Sequence, residues 1–167
     1  MTDQQHDNAQ QAARLTEEAF IRGLLFYRAS ATAYYLEGLE EQDFYTPAAW
    51  NCVQVINARA TTNTQRGAGD TPADAQVVLA DMQNAGTLDN VTQRLLIEVS
   101  TGTPPGLPDM EALAATLKEQ RLRRALHALG LQLQDAADAD SDTIQLAVNN
   151  CAYLQRLHAR TRLGVEA

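Results

Sequence analysis

The chain has 167 residues, of which 45% are hydrophobic, 5% aromatic and 20% charged, with a formal net charge of -8 at pH 7. That length holds one domain, or one small domain with an extension, and buries about two thirds of the unfolded surface. The acidity, with a pI of about 4.7, disfavours direct nucleic-acid binding. No apolar run approaches the roughly 18 to 20 residues that span a bilayer, and the polar, glutamine-rich start has no signal-peptide core. Cys52 and Cys151 lie far apart without metal-type spacing. Both fall at apolar helix positions, where buried free thiols in a reducing cytoplasm are expected.

Residues 1–15 lack apolar periodicity and read as a disordered tail. Thr16 then has the chemistry of an N-cap, with Glu17 and Glu18 in the first turn and Leu15 spaced to staple onto Phe20. Phe20, Ile21, Leu24 and Leu25 form the apolar stripe of this first helix. A short helix is expected over Ala31 to Leu39. Thr46-Pro47 is a strong start signal, a capping hydroxyl followed by proline at the first helical position. Tyr45 and Trp50 have staple spacing around it, and Cys52, Val53, Ile56 and Ala60 share one face. Thr61 to Asp70 reads as a polar loop. Thr71-Pro72-Ala73-Asp74 restarts a helix lined by Val78, Leu79 and Met82 and ended by Gly86. A further short helix carries Val91, Leu95, Leu96 and Val99 before the break at Gly102 to Pro108.

The last third reads as two long helices. Leu122, Leu126, Leu129, Leu133 and Ala136 are spaced 4, 3, 4 and 3, which is a coiled-coil-type seam. Ile144, Ala147, Val148, Cys151 and Leu154 line the second helix, and the acidic stretch Asp138 to Asp142 makes the turn. Two helices joined by a short polar turn form an antiparallel hairpin. The hairpin is locally basic: Lys118, Arg121, Arg123, Arg124, Arg156, Arg160 and Arg162 are seven of the chain's 13 basic residues. Charges beside such a seam set pairing orientation, and a basic face also suits an acidic protein partner.

Motifs for chemistry are missing from this sequence. No G-x-x-x-x-G-K-[ST] phosphate loop occurs, and no G-x-S-x-G elbow. His6, His127 and His158 do not cluster with each other or with the cysteines. No catalytic residue, metal ligand or cofactor is expected.

Several segments, in order, resemble the N-terminal domain of the DnaB-type replicative DNA helicase. Asp43-Phe44-Tyr45-Thr46-Pro47 matches the family's acidic-Phe-Tyr-x-Pro signature, and Leu24-Leu25 matches the apolar run of its first helix. Asp74, Val78, Met82 and Gly86-x-Leu88 follow its third-helix pattern, Thr103-Pro104 its loop before the hairpin, and Lys118-Glu119 with Arg123-Arg124 its basic hairpin helix. The likeness spans roughly Glu18 to Leu163, with Ala49 where the family often has His. It implies a helical bundle plus a hairpin that pairs copies into a collar. That collar docks the helicase-binding domain of primase, while ATP hydrolysis belongs to a separate RecA-like domain.

The expectation is therefore an all-α protein with a disordered tail over 1–15, a small helical bundle over 16–101 and a C-terminal antiparallel hairpin over 108–163. It is expected to be a non-enzymatic primosome module that self-associates as a dimer or higher. Leu122, Leu126, Leu129, Leu133, Ile144, Val148 and Leu154 are the candidate self-association residues. Phe44, Tyr45, Trp50, Arg123 and Arg124 are the candidate partner face. The partner is expected to be the primase helicase-binding domain or a full-length replicative helicase. A phage, plasmid or mobile-element modulator of a host helicase, and a domain excised from a complete helicase, are the alternatives.

Overall fold

The computed structural model describes residues 3–65, 70–136 and 140–162. Among them are seven α-helices and no strand: α1 (Asp3–Phe26), α2 (Ala29–Leu36), α3 (Pro47–Gln65), α4 (Ala75–Asn84), α5 (Asn90–Ser100), α6 (Leu107–Ala136) and α7 (Ser141–Arg162). A single 3-10 turn, Glu41–Asp43, precedes α3. The chain forms two compact units, Met1–Ala114 and Ala115–Ala167, and the division falls inside α6.

In the first unit α3 is the central helix, packed by α1, α2, α4 and α5. Its buried face is built from Ala49, Cys52, Val53, Ile56 and Ala60, small residues at helical spacing that let the neighbours approach. Phe20, Ile21 and Leu24 of α1, Val78 and Met82 of α4, and Leu96 and Val99 of α5 complete the core. Each large side chain buried here contributes about 1.5–3 kcal/mol. Gly23 of α1 faces Met110 at the start of α6, and a β-carbon there would overlap the Met110 Sδ. That glycine is a packing requirement, because the methionine occupies the space a side chain would take.

The helix ends follow local chemistry in four places. Thr46 Oγ1 accepts from Ala49 N–H at 3.3 Å at the start of α3. Asp74 accepts from Gln76 N–H at 2.7 Å, and Asp89 accepts from Thr92 N–H at 2.7 Å. After α4, Gly86 takes a φ of +69°. There Thr87 N–H bonds to Met82 O and Gly86 N–H to Gln83 O, the paired bonds of a Schellman motif.

Three expectations are corrected. Helix α1 begins at Asp3, not at Thr16. Thr16 lies mid-helix with its hydroxyl donating to Ala12 O at 2.9 Å, and Ala13 is buried, so the stretch assigned to a tail contributes to the core. Helix α3 continues through Thr61 to Gln65, because Thr61, Thr62 and Thr64 turn their hydroxyls back onto Asn57, Ala58 and Ala60 carbonyls. The rest of that loop up to Gly69 lies outside the described residues, as do Ala137 to Ala139 of the hairpin turn and Gly164. Cys151 is exposed rather than buried, for a reason given below.

Helix α2 is capped from a distance. Arg28 gives it no side-chain cap. Asp70 accepts from Ser30 N–H at 2.8 Å and from Ser30 Oγ at 2.6 Å. The Ser30 hydroxyl and then its N–H hold the Asp70 carboxyl below the ordinary carboxylate range. The Thr92 and Thr143 N–H groups do the same for Asp89 and Asp140. A carboxyl held lower in the folded than in the unfolded state stabilises above its unfolded value, about 3.9, and that stabilisation is lost as pH falls through the folded value. Glu18 acts oppositely: burial, then Glu98, raise it, so its penalty is relieved as pH falls. With three caps against one raised group, the melting temperature is expected to hold from pH 7 to about 4.5 and to drop below about pH 4. An unchanged melting temperature at pH 3 would contradict this assignment.

Candidate interaction surfaces

The second unit pairs the later part of α6 with α7. Arg121 Nη2 donates to Tyr153 Oη at 2.9 Å, and Asn150 Nδ2 donates to Gln132 Oε1 at 2.8 Å. Leu129 and Ala136 of α6 and Ala147 and Leu157 of α7 are buried. Leu122 and Leu154 are half-buried.

The other candidate self-association residues are not used inside the chain. Leu126 is 60% exposed and Val148 55% exposed, and Leu133 and Ile144 are exposed as well. On α6, Leu126 and Gly130 stand three before and one after the inward Leu129. On α7, Ile144 and Val148 stand three before and one after the inward Ala147. The two offsets have the same rotational sense. Reversing one helix mirrors that sense, so in an antiparallel pair both shoulders open to the same side. The hairpin therefore carries one broad apolar face of Leu126, Leu133, Ile144 and Val148, flanked by the half-buried Leu122 and Leu154.

Cys151 continues the Ile144–Val148 shoulder, which is why it is exposed. Cys52 sits in the core of the first unit, where burial pushes its thiol up to about 12. The thiolate is the reactive form. A thiol-disulfide reagent at pH 8 is therefore expected to modify one cysteine per folded chain, Cys151, in protein dilute enough to be monomeric, and to reach Cys52 only after denaturation. Two fast equivalents in the native protein would contradict this.

The Asp43 to Pro47 segment has a different use from the expected partner face. Asp43 Oδ2 accepts from Glu40 N–H at 2.8 Å. Phe44 is only 6% exposed and lies between Phe20, 6.2 Å away, and Trp50, 5.5 Å away. The tryptophan thus packs on Phe44, where staple spacing pointed to Tyr45. Glu17 of α1 is 2% exposed and accepts from the Tyr45 N–H, from the Thr46 N–H at 3.3 Å and from the Thr46 hydroxyl at 2.8 Å. The acidic-Phe-Tyr-x-Pro signature is a folding corner: a buried carboxylate from α1 holds the first turn of α3. Phe44 is withdrawn from the partner face because it is core. Tyr45, 37% exposed, reaches the surface and lines a groove of about 470 Å³ with Arg14, Glu18, Val91, Arg94 and Glu98. Arg123 is exposed and pairs with Glu119 at 2.7 Å. Arg123 and Arg124 belong to the second compact unit, and Tyr45 and Trp50 to the first.

Sequence reasoning missed Glu17 and Asp70 as long-range caps. A sequence-level signal existed only for Glu17, as a carboxylate on the flank of an apolar stripe.

The fold of this chain is similar to that of a solved helicase N-terminal domain. The crystal structure of the N-terminal domain of DnaB helicase from Mycobacterium tuberculosis matches it with a TM-score of 0.62 at 26% sequence identity, covering 83% of this chain and 95% of that one. No protein-family model matches the chain, and no curated protein does. No helix among the described residues is long and apolar enough to cross a membrane. No group of three or more potential metal ligands occurs among them.

Proposed function

We propose that this protein is a non-enzymatic interaction module of DNA replication that self-associates through its hairpin and engages the replicative helicase machinery. One observation carries the reading. A fold like that of a helicase N-terminal domain leaves Leu126, Leu133, Ile144 and Val148 uncovered on one side of its hairpin. Contiguous exposed apolar surface of this kind marks a protein interaction site. The like fold makes a second copy, or the matching domain of a full-length helicase, the natural cover. The Tyr45 groove and the basic Arg123–Arg124 end of the hairpin are the surfaces offered to a further partner such as the primase helicase-binding domain. The absence of a phosphate loop from this sequence accords with a role in assembly rather than ATP turnover, and a cytoplasmic setting follows from that role.

Purified primase helicase-binding domain and purified full-length replicative helicase separate the two partner types in co-sedimentation. Binding to either at low micromolar concentration supports the reading, and the bound partner says whether the module docks primase or pairs with a ring. No binding to either at tens of micromolar overturns it.

A further inference from the structure

We propose that the groove between α1, α4 and α5 of the first unit docks a basic amphipathic helix of a partner protein. This surface shares no residue with the hairpin or with the Tyr45 groove, and the inference does not rest on self-association. The groove has a volume of about 700 Å³. Leu25 of α1 and Leu96 of α5 are buried beneath it and form its floor. Phe26 at the end of α1 and Ile97 of α5 stand beside that floor, 44% and 56% exposed, across from the half-buried Leu79 of α4. Large apolar side chains left in water around a concave apolar floor mark a docking site.

The form of the occupant follows from the backbone of the site. The described residues contain no strand, so the groove offers no sheet edge. An extended peptide laid there would bury its own N–H and C=O groups unpaired, at about 1–3 kcal/mol each. A helix satisfies those groups within itself and presents apolar anchors at i, i+3, i+4 and i+7.

Charge gives the rest. Among the described residues that line the groove, Asp74 is the one charged group. It caps α4 by accepting from Gln76 N–H at 2.7 Å, and it is exposed. The surroundings are acidic as well: residues 3–65 and 70–114 hold 15 Asp and Glu against five Arg and no Lys. Those arginines are placed elsewhere. Arg14 and Arg94 line the Tyr45 groove, Arg22 lies beside Gly102, Arg59 pairs with Asp81 at 3.5 Å, and Arg28 lies close enough to Asp70 to lower its carboxyl. An acidic segment is therefore repelled, while Lys or Arg flanking the apolar anchors is drawn in.

The test uses a synthetic helix of roughly 16 residues with Leu along one face and Lys on its flanks. It is labelled for fluorescence anisotropy and titrated with the full chain. A Kd of about 10 µM is expected, and a value about tenfold weaker for the same peptide with Glu at every Lys. Ile97→Gln and Phe26→Gln, each checked for helical content by circular dichroism, are each expected to weaken the Lys peptide by about tenfold. Asp74→Asn keeps a good cap but loses the charge, and a weakening of about threefold is expected. Leu126→Gln with Val148→Gln alters only the hairpin and is expected to leave the affinity unchanged. Equal binding of the Lys and Glu peptides would overturn the basic character of the partner. Undiminished binding by both groove variants, or binding lost on altering the hairpin, would overturn the site. No binding of the Lys peptide at about 300 µM would overturn the proposal outright.

Discussion

Leu126→Asp combined with Val148→Asp is expected to yield a folded monomer at concentrations where the parent chain is a dimer. Both side chains are exposed in the single chain, so replacing them costs the monomer little beyond helix propensity; surface substitutions stay mostly within about 0.5 kcal/mol. In a two-fold interface each appears twice. Burial of an aliphatic side chain is worth about 2 kcal/mol, so four lost sites amount to roughly 8 kcal/mol, about six decades in the dissociation constant. Four buried carboxylates without partners add to that loss. The contrast is Leu129→Asp. Leu129 is buried between α6 and α7, so that single change is expected to unfold the hairpin. Retained helical signal with monomeric mass for the first variant, and lost helical signal for the second, would separate the outer face from the inner one. A double variant that unfolds would show that Leu126 and Val148 serve the chain's own core.

Glu17→Ala is expected to destabilise the first unit by about 3 kcal/mol, a large share of the roughly 5–15 kcal/mol of a typical domain. The carboxylate accepts two backbone N–H groups and one hydroxyl at the start of α3. Hydrogen bonds to a charged group contribute about 1.5–3 kcal/mol each, partly offset by the cost of burying the charge. Glu17→Gln keeps the volume and one acceptor but turns an NH2 donor toward donors, so about 1–2 kcal/mol is expected. Trp50, the single tryptophan, lies in the first turn of α3 against Phe44 and reports this region by fluorescence during urea unfolding. The expected order of midpoints is wild type, then Gln, then Ala. A Glu17→Ala midpoint equal to wild type would remove the corner from the account.

Glu17 also shows where sequence reasoning stops. Thr16-Glu17-Glu18 has the local chemistry of a helix start, yet α1 begins at Asp3 and passes through it. The carboxylate completes a cap 28 residues away, a partnership no local pattern contains. Asp70 and Ser30, 40 residues apart, are the same case for α2. By contrast, Thr46-Pro47 and Gly86 were legible because each acts on backbone groups within a few residues. The core face of α3 was legible because its small apolar residues keep helical spacing.

The hairpin was legible as an element but not in its rotation. A 4-3-4-3 leucine pattern marks a stripe wide enough for two neighbours. Here α7 covers Leu129 and Ala136, while Leu126 and Leu133 fall on the shoulder. Which residues of the stripe turn inward depends on the partner helix, which the spacing alone does not contain. Phe44 read as a surface aromatic for a related reason: its neighbours Phe20 and Trp50 come together only when α1 and α3 pack.

Sedimentation equilibrium of the unmodified protein from one to a hundred micromolar tests the central claim most directly. The account predicts a mass rising to twice the 18.2 kDa chain mass or a multiple of that, because the single chain leaves the apolar side of the hairpin exposed. A mass of one chain across the whole range would contradict it.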